Sequence, residues 1–247
     1  MFIPALEKIN HIAAKKISPF LEEILIKYQE NIHSIHVTGT AVTEDFDNKS
    51  SDINSIFILK EMDLKFLELI APLGKKYGKD KIAAPLIMTP EYIRRSIDVF
   101  PVEFLNFKLI HATVFGEDIF ENLDISSMDL RRQCERELKV KLIWLRQNYI
   151  SYLGNIKTLA KDFANSISGY IPLFRGIISL LGKQPPVMQA DVISLLSEAS
   201  GINMEVFLKV LWKKHREIQV SKEDLGAMFS GYYTAIEKLG KIVDEIK

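Results

Sequence analysis

The part of this chain best equipped for chemistry is Ser34–Leu59, SIHVTGTAVTEDFDNKSSDINSIFIL. A β-branched run (Ile32, Ile35, Val37) ends at Gly39-Thr40, a polar loop follows, and Ser-Asp-Ile-Asn opens a second β-rich run, Ile53–Leu59. Glycine lets the chain turn tightly and lets backbone N–H groups approach phosphate oxygens. The Thr40 hydroxyl would add a donor. Asp52 and Asn54, at i and i+2 of a strand, point to one face and can address the same cation. Glu103 lies in Pro101–Phe107 (PVEFLNF), whose apolar alternation reads as a strand. A carboxylate buried there would need a metal or a basic partner. Together these residues suit phosphate binding and metal-assisted group transfer.

The surrounding elements must position them. Residues 2–30 read as helix, broken near Ser18-Pro19, where Ser can cap and Pro can take the first helical position. Asp63–Tyr77 has helical spacing, Ala84–Met88 reads as a strand, and Thr89-Pro90-Glu91 is a helix start. His111–Phe115 is a further strand candidate. From Leu130 the apolar residues Cys134, Leu138, Leu142, Leu145, Tyr149 and Tyr152 recur at intervals of three or four, which is one stripe of a long helix. Helical windows continue over 156–181, 187–199, 204–217 and 222–246. The expected fold is α+β: a mixed sheet with flanking helices and a C-terminal all-helical bundle. The expected division is a helical arm at 1–29, a sheet domain at 30–125 and a bundle at 126–247.

On Gly39-Thr40, Asp52-Ile53-Asn54 and Glu103, the chain resembles the nucleotidyltransferase superfamily with the DNA polymerase β-like core. That family's signature is a Gly-Ser pair, then Asp-x-Asp, then a third carboxylate on a later strand. The runs FPVEFLNFK, VFGED and LRRQCERELKVKLIWLRQNY look like the continuation in bacterial stand-alone nucleotidyltransferase-domain proteins. The resemblance implies that Gly39 and Thr40 hold phosphates and that Asp52 and Glu103 are catalytic, metal-binding acids. It implies Mg²⁺ as cofactor and transfer of a nucleoside monophosphate from an NTP to a small-molecule or protein acceptor. Asn54 departs from the pattern, standing where the second metal-bridging acid belongs. An amide oxygen is a neutral, weaker ligand for a hard dication. Two expectations follow: a transferase with a weakened site, or a catalytically degenerate nucleotide-binding or scaffolding protein acting through its helical half.

Other candidates carry blander readings. Glu44, Asp45 and Asp47 read as solvated loop acids that could substitute for the missing ligand. Asp98 is the alternative to Glu103, at a helix end. Arg131, Arg132, Arg136, Lys139, Lys141 and Arg146 are expected either to pair along their own helix or to reach a triphosphate. Cys134 lies on the apolar stripe and reads as core. His11, His33, His36, His111 and His215 show no metal-ligand spacing, and His33 and His36 are expected at a strand edge. No Walker A, GxGxxG or GxSxG motif occurs.

Composition sets the outer limits. With 47% apolar residues and 32 basic against 32 acidic side chains, the chain is not disordered. No window is apolar enough to span a bilayer, and the N-terminus lacks a signal-peptide layout, so a cytoplasmic protein without a membrane partner is expected. The neutral total and the short run Lys213–Arg216 give no support to nucleic-acid binding. Residues 1–125 carry a formal −5 and residues 126–247 a formal +5, a contrast that suggests two units with different surfaces.

Overall fold

The computed structural model describes residues 5–152, 162, 166–213 and 222–246. The chain forms two compact units, Met1–Ile97 with Phe107–Asp124, and Asp98–Asn106 with Ile125–Lys247.

The first unit is built on a four-stranded mixed sheet of order β3-β2-β1-β4. Its strands are β1 (Ile32–Thr38), β2 (Asn54–Leu59), β3 (Leu86–Met88) and β4 (His111–Gly116). β1 pairs antiparallel with β2 and β4, and β2 pairs parallel with β3. The helices are α1 (His11–Tyr28), α2 (Leu64–Tyr77) and α3 (Pro90–Ser96). Thr89 caps α3 through Tyr92 N–H with Pro90 at the first position, as the sequence predicts, and Asp63 caps α2 through Lys65 N–H.

One face of the sheet, with Ile35, Val37, Phe57, Leu59, Ala112 and Val114, packs on Ile17, Phe20, Leu21, Ile24 and Phe66 of α1 and α2. That burial explains a departure from the expected break at Ser18-Pro19. Asn10 caps α1 by accepting from the N–H groups of Ile12 and Ala13, and the helix runs through Pro19. An interior proline costs about 3 kcal/mol. Each fully buried aliphatic or aromatic side chain contributes about 1.5–3 kcal/mol, and Ile17, Phe20, Leu21 and Ile24 flank the proline at 0–1% exposure. Packing outweighs the local break.

The second correction concerns Pro101–Phe107. It is not a strand but most of α4 (Pro101–Leu109). Pro101 occupies the first helical position and Phe104 N–H bonds to the Phe100 carbonyl at 3.0 Å. Val102 and Leu105, three apart, are both buried, so the helical period prevails over an apparent alternation. The compact units also divide the chain differently from a linear cut, because Asp98–Asn106 belongs to the second unit and α1 to the first.

The second unit contains α5 (Ser127–Tyr152), α6 (Ile171–Leu180), α7 (Gln189–Ser200), α8 (Glu205–Lys213) and α9 (Lys222–Glu245). α5 packs against α6 and α9. Tyr170, Phe174, Phe207 and Tyr232 form an aromatic cluster in its core. Cys134 is fully buried, and a Cβ added to Gly176 would lie 2.9 Å from its sulfur, so the α5–α6 crossing is close. Burial, with the charges of Glu137 and Glu103, pushes the thiol up to about 12, as befits a core residue. Much of the helical window expected at 156–181 lies outside the described residues, as do Lys214, His215 and Arg216.

Candidate functional site

The second face of the sheet carries the residues of interest. Cross-strand partners share a face, and the register aligns Thr38 with Asn54 on one side and His111 on the other. His36 aligns with Ile56 and Thr113, and Ile56 with Leu86. Across the sheet this face therefore presents Leu86, Asn54, Ile56, Thr38, His36, His111 and Thr113.

β1 ends at Thr38, whose hydroxyl donates to the Ile110 carbonyl at 2.6 Å. Gly39 then adopts φ +75°, a left-handed conformation that favours glycine, and opens a 3₁₀ turn, Gly39–Val42. A Cβ at Gly39 would lie 3.5 Å from Asn54 Nδ2. The structure thus brings the Gly39-Thr40 turn and the Asn54 amide together. Asp52 stands just before β2. It and Asn54 are exposed while Ile53 between them is fully buried and bridges to Ile82, which is the alternation of an extended segment.

Glu103 is not brought into this sheet. It is an exposed residue in the first turn of α4, in the second unit, and its Oε2 accepts from Gln133 Nε2 at 2.8 Å. The same buried Gln133 accepts the Val102 N–H at 2.8 Å, so its amide caps the start of α4. The premise of a buried strand carboxylate does not hold for Glu103. No residue of β1, β2, β3 or β4 is an Asp or Glu. On the β3 position beside Ile56 stands Leu86, 48% exposed.

Of the loop acids, Asp47 has a local role. The Asp47 carboxylate accepts from the Lys49 N–H at 2.7 Å and the Ser50 hydroxyl at 2.9 Å, a turn-forming arrangement. On α5, Arg131 and Lys139 pair with Glu135, and Arg132 lies 3.5 Å from Asp129. Lys141 sits over the Tyr170 ring at 4.5 Å, where burial lowers its pKa. A groove of about 1210 Å³ in the first unit opens at the other end of β1, beside Leu25, Tyr28, His33, Lys60 and Glu117. None of Gly39, Thr40, Asp52 or Asn54 lines it.

Sequence reasoning missed a histidine cluster. His36 lies on central strand β1 and is fully buried, not at an edge. Its Nε2 is 2.9 Å from the Ser34 hydroxyl and its Nδ1 3.0 Å from that of Thr113. Burial, with the neighbouring His111 and His33, pushes its pKa down to about 4. His111 Nε2 lies 2.8 Å from the Asp118 carboxylate, and Phe120 stacks edge-on to both imidazoles. Burial opposes the Asp118 charge, but the His111 bond and the N–H groups of Phe120 and Glu121 outweigh it and lower its pKa. No local spacing announces this cluster, because its members come from two strands and a turn.

The mixed sheet of order β3-β2-β1-β4, its flanking helices and the helical C-terminal region define a nucleotidyltransferase fold. In particular, the chain is similar to the crystal structure of spectinomycin adenyltransferase AAD(9) from Enterococcus faecialis with ATP and spectinomycin. The TM-score is 0.57 at 15% sequence identity, covering 94% of this chain and 99% of that one, so the likeness is one of fold. No protein-family model matches the chain, and no curated protein matches it.

Proposed function

We propose that this chain is a nucleotidyltransferase-fold protein that binds nucleotide phosphates at Gly39-Thr40 without needing Mg²⁺, with nucleotidyl transfer weak or lost. The observation that carries this reading is the absence of any acid on the four strands, combined with Asn54 against the Gly39 turn. The fold family implies a pair of Mg²⁺ ions, and two such ions need several carboxylates around them. Of the three family positions, only Asp52 is an acid on an extended segment: Asn54 is an amide, and Glu103 stands on a helix, where it accepts from Gln133. The residues present do not fit a two-metal set.

They do fit an anion. The left-handed Gly39 leaves room for close approach to its backbone, and the Asn54 amide is a neutral donor in place of an anion. A carboxylate there would repel phosphate unless a cation intervened, by an amount of order 4 kcal/mol at 4 Å and an effective dielectric of 20. An amide removes both the repulsion and the requirement. AAD(9) was crystallised with ATP and spectinomycin, and by analogy an NTP and a small-molecule acceptor are the ligands to try. Calorimetric titration of each NTP, with Mg²⁺ and with excess EDTA, tests the reading. Gly39→Val should weaken binding, because a β-branched residue at φ +75° is strained. Incorporation of labelled α-phosphate above background, dependent on Mg²⁺, would instead establish an active transferase.

A further inference from the structure

The first unit holds a second constellation that the nucleotide reading does not use. His36 from β1, His111 from β4 and Asp118 from the following turn each offer a donor atom, and these atoms all lie within 4.8 Å of one another. We propose that His36, His111 and Asp118 form a binding site for a first-row transition metal of the Zn²⁺ class, tying β1, β4 and the turn after it. This inference is independent of nucleotide binding at Gly39.

Three observations carry it. Two imidazoles and a carboxylate are a donor set suited to zinc and its neighbours rather than to Mg²⁺, which takes oxygen ligands and retains water. Zinc ligands stand about 2.1 Å from the ion and so roughly 3.4 Å from each other in a tetrahedron. A triangle no wider than 4.8 Å reaches that size by side-chain adjustment, without moving the strands. Second, the His111 side chain is only 9% exposed, yet its Nδ1 is buried with no hydrogen-bond partner among the described residues. That leaves Nε2, 2.8 Å from the Asp118 carboxylate, as the His111 nitrogen that faces the shared site. Third, the surroundings resemble the outer layer of a metal site. The Ser34 and Thr113 hydroxyls each hold one His36 nitrogen, so one of them gives way to the ion while the other orients the ring; the Phe120 and Glu121 N–H groups hold the Asp118 carboxylate, and Phe120 covers both imidazoles. Asp118 remains partly exposed, with 32% of its side chain open, which supplies a path for the ion.

The test uses the full chain, stripped with EDTA and dialysed, then titrated with Co²⁺ as a spectroscopic stand-in for Zn²⁺. The expected result is one Co²⁺ per chain with visible absorption of a low-coordinate nitrogen–oxygen site, displaced by Zn²⁺ and not by Mg²⁺. Zn²⁺ should raise Tm by about 5 °C or more at saturating concentration. His111→Gln and Asp118→Asn should each weaken Co²⁺ binding at least tenfold or so. Asp118→Asn keeps an oxygen to cap the Phe120 and Glu121 N–H groups, so it decides alone if His111→Gln does not fold. No Co²⁺ uptake by the wild-type chain at micromolar concentrations, or uptake that Asp118→Asn leaves unchanged, would overturn the proposal.

Discussion

The two faces of the sheet in the first unit obey different rules. Toward α1 and α2, Ile35, Val37, Phe57, Leu59, Ala112 and Val114 are buried by helices whose apolar faces match them. On the other face, Ser34 and His36 are equally inaccessible, at 0% exposure, and are held by hydrogen bonds instead. Burial of hydrocarbon is non-directional and tolerant, whereas a buried polar group costs about 1–3 kcal/mol if its bond is lost. The first face builds the fold. The second is where chemistry or recognition can be placed, and where a change of one residue type, such as the amide at Asn54, changes what the face can hold.

The comparison is broken most severely from the apolar side. Phe57→Ala should cost about 3–5 kcal/mol, read from urea unfolding, while leaving the NTP affinity of the folded fraction unchanged. An equal loss of affinity would show that the two faces are not separable.

Acid should attack the polar face. In metal-free protein His36 has a folded pKa of about 4 against an ordinary 6.5, so the unfolded chain binds more protons between those values. Stability should therefore be full above pH 6.5 and fall as pH drops toward 4, by up to about 3 kcal/mol. Denaturant titrations of the wild type and of His36→Asn across that window check the sign, and the variant should show a flatter profile.

Restoring acids should sharpen the contrast further. Asn54→Asp should weaken NTP binding in EDTA by about tenfold or more and make it Mg²⁺-dependent. Adding Leu86→Glu, on the same face in register with Ile56, should raise Mg²⁺ affinity about tenfold above Asn54→Asp alone, as read by calorimetry. If Asn54→Asp binds NTP as well as wild type in EDTA, the amide is not what frees the site from metal.

Much of the apolar face was legible in the chain because period-2 alternation and short β-branched runs mark β1, β2 and β4, helical spacing marks α2, and Thr89-Pro90 marks the start of α3. Two elements were misread for physical reasons. Val102 and Phe104 mimic alternation, but Pro101 at the first helical position and the Gln133 amide favour a helix. Pro19 signals a break that the burial of Ile17, Phe20 and Leu21 overrides. Gly39, Thr40 and Asn54 could be placed together because they bound neighbouring strands. Glu103, the third acid that the resemblance implies, stands on a helix and not on a strand. The histidine cluster was invisible, since antiparallel pairing of β1 with β4 joins residues distant in sequence.

The account rests on phosphate binding that does not need a metal, and one titration addresses that directly. ATP titrated into the wild-type chain by calorimetry, once in Mg²⁺ and once in excess EDTA, should give dissociation constants that agree within about threefold, a difference below about 0.7 kcal/mol. Binding seen only with Mg²⁺, or at least about tenfold tighter with it, would contradict the account and return Asp52 to the role of a metal ligand.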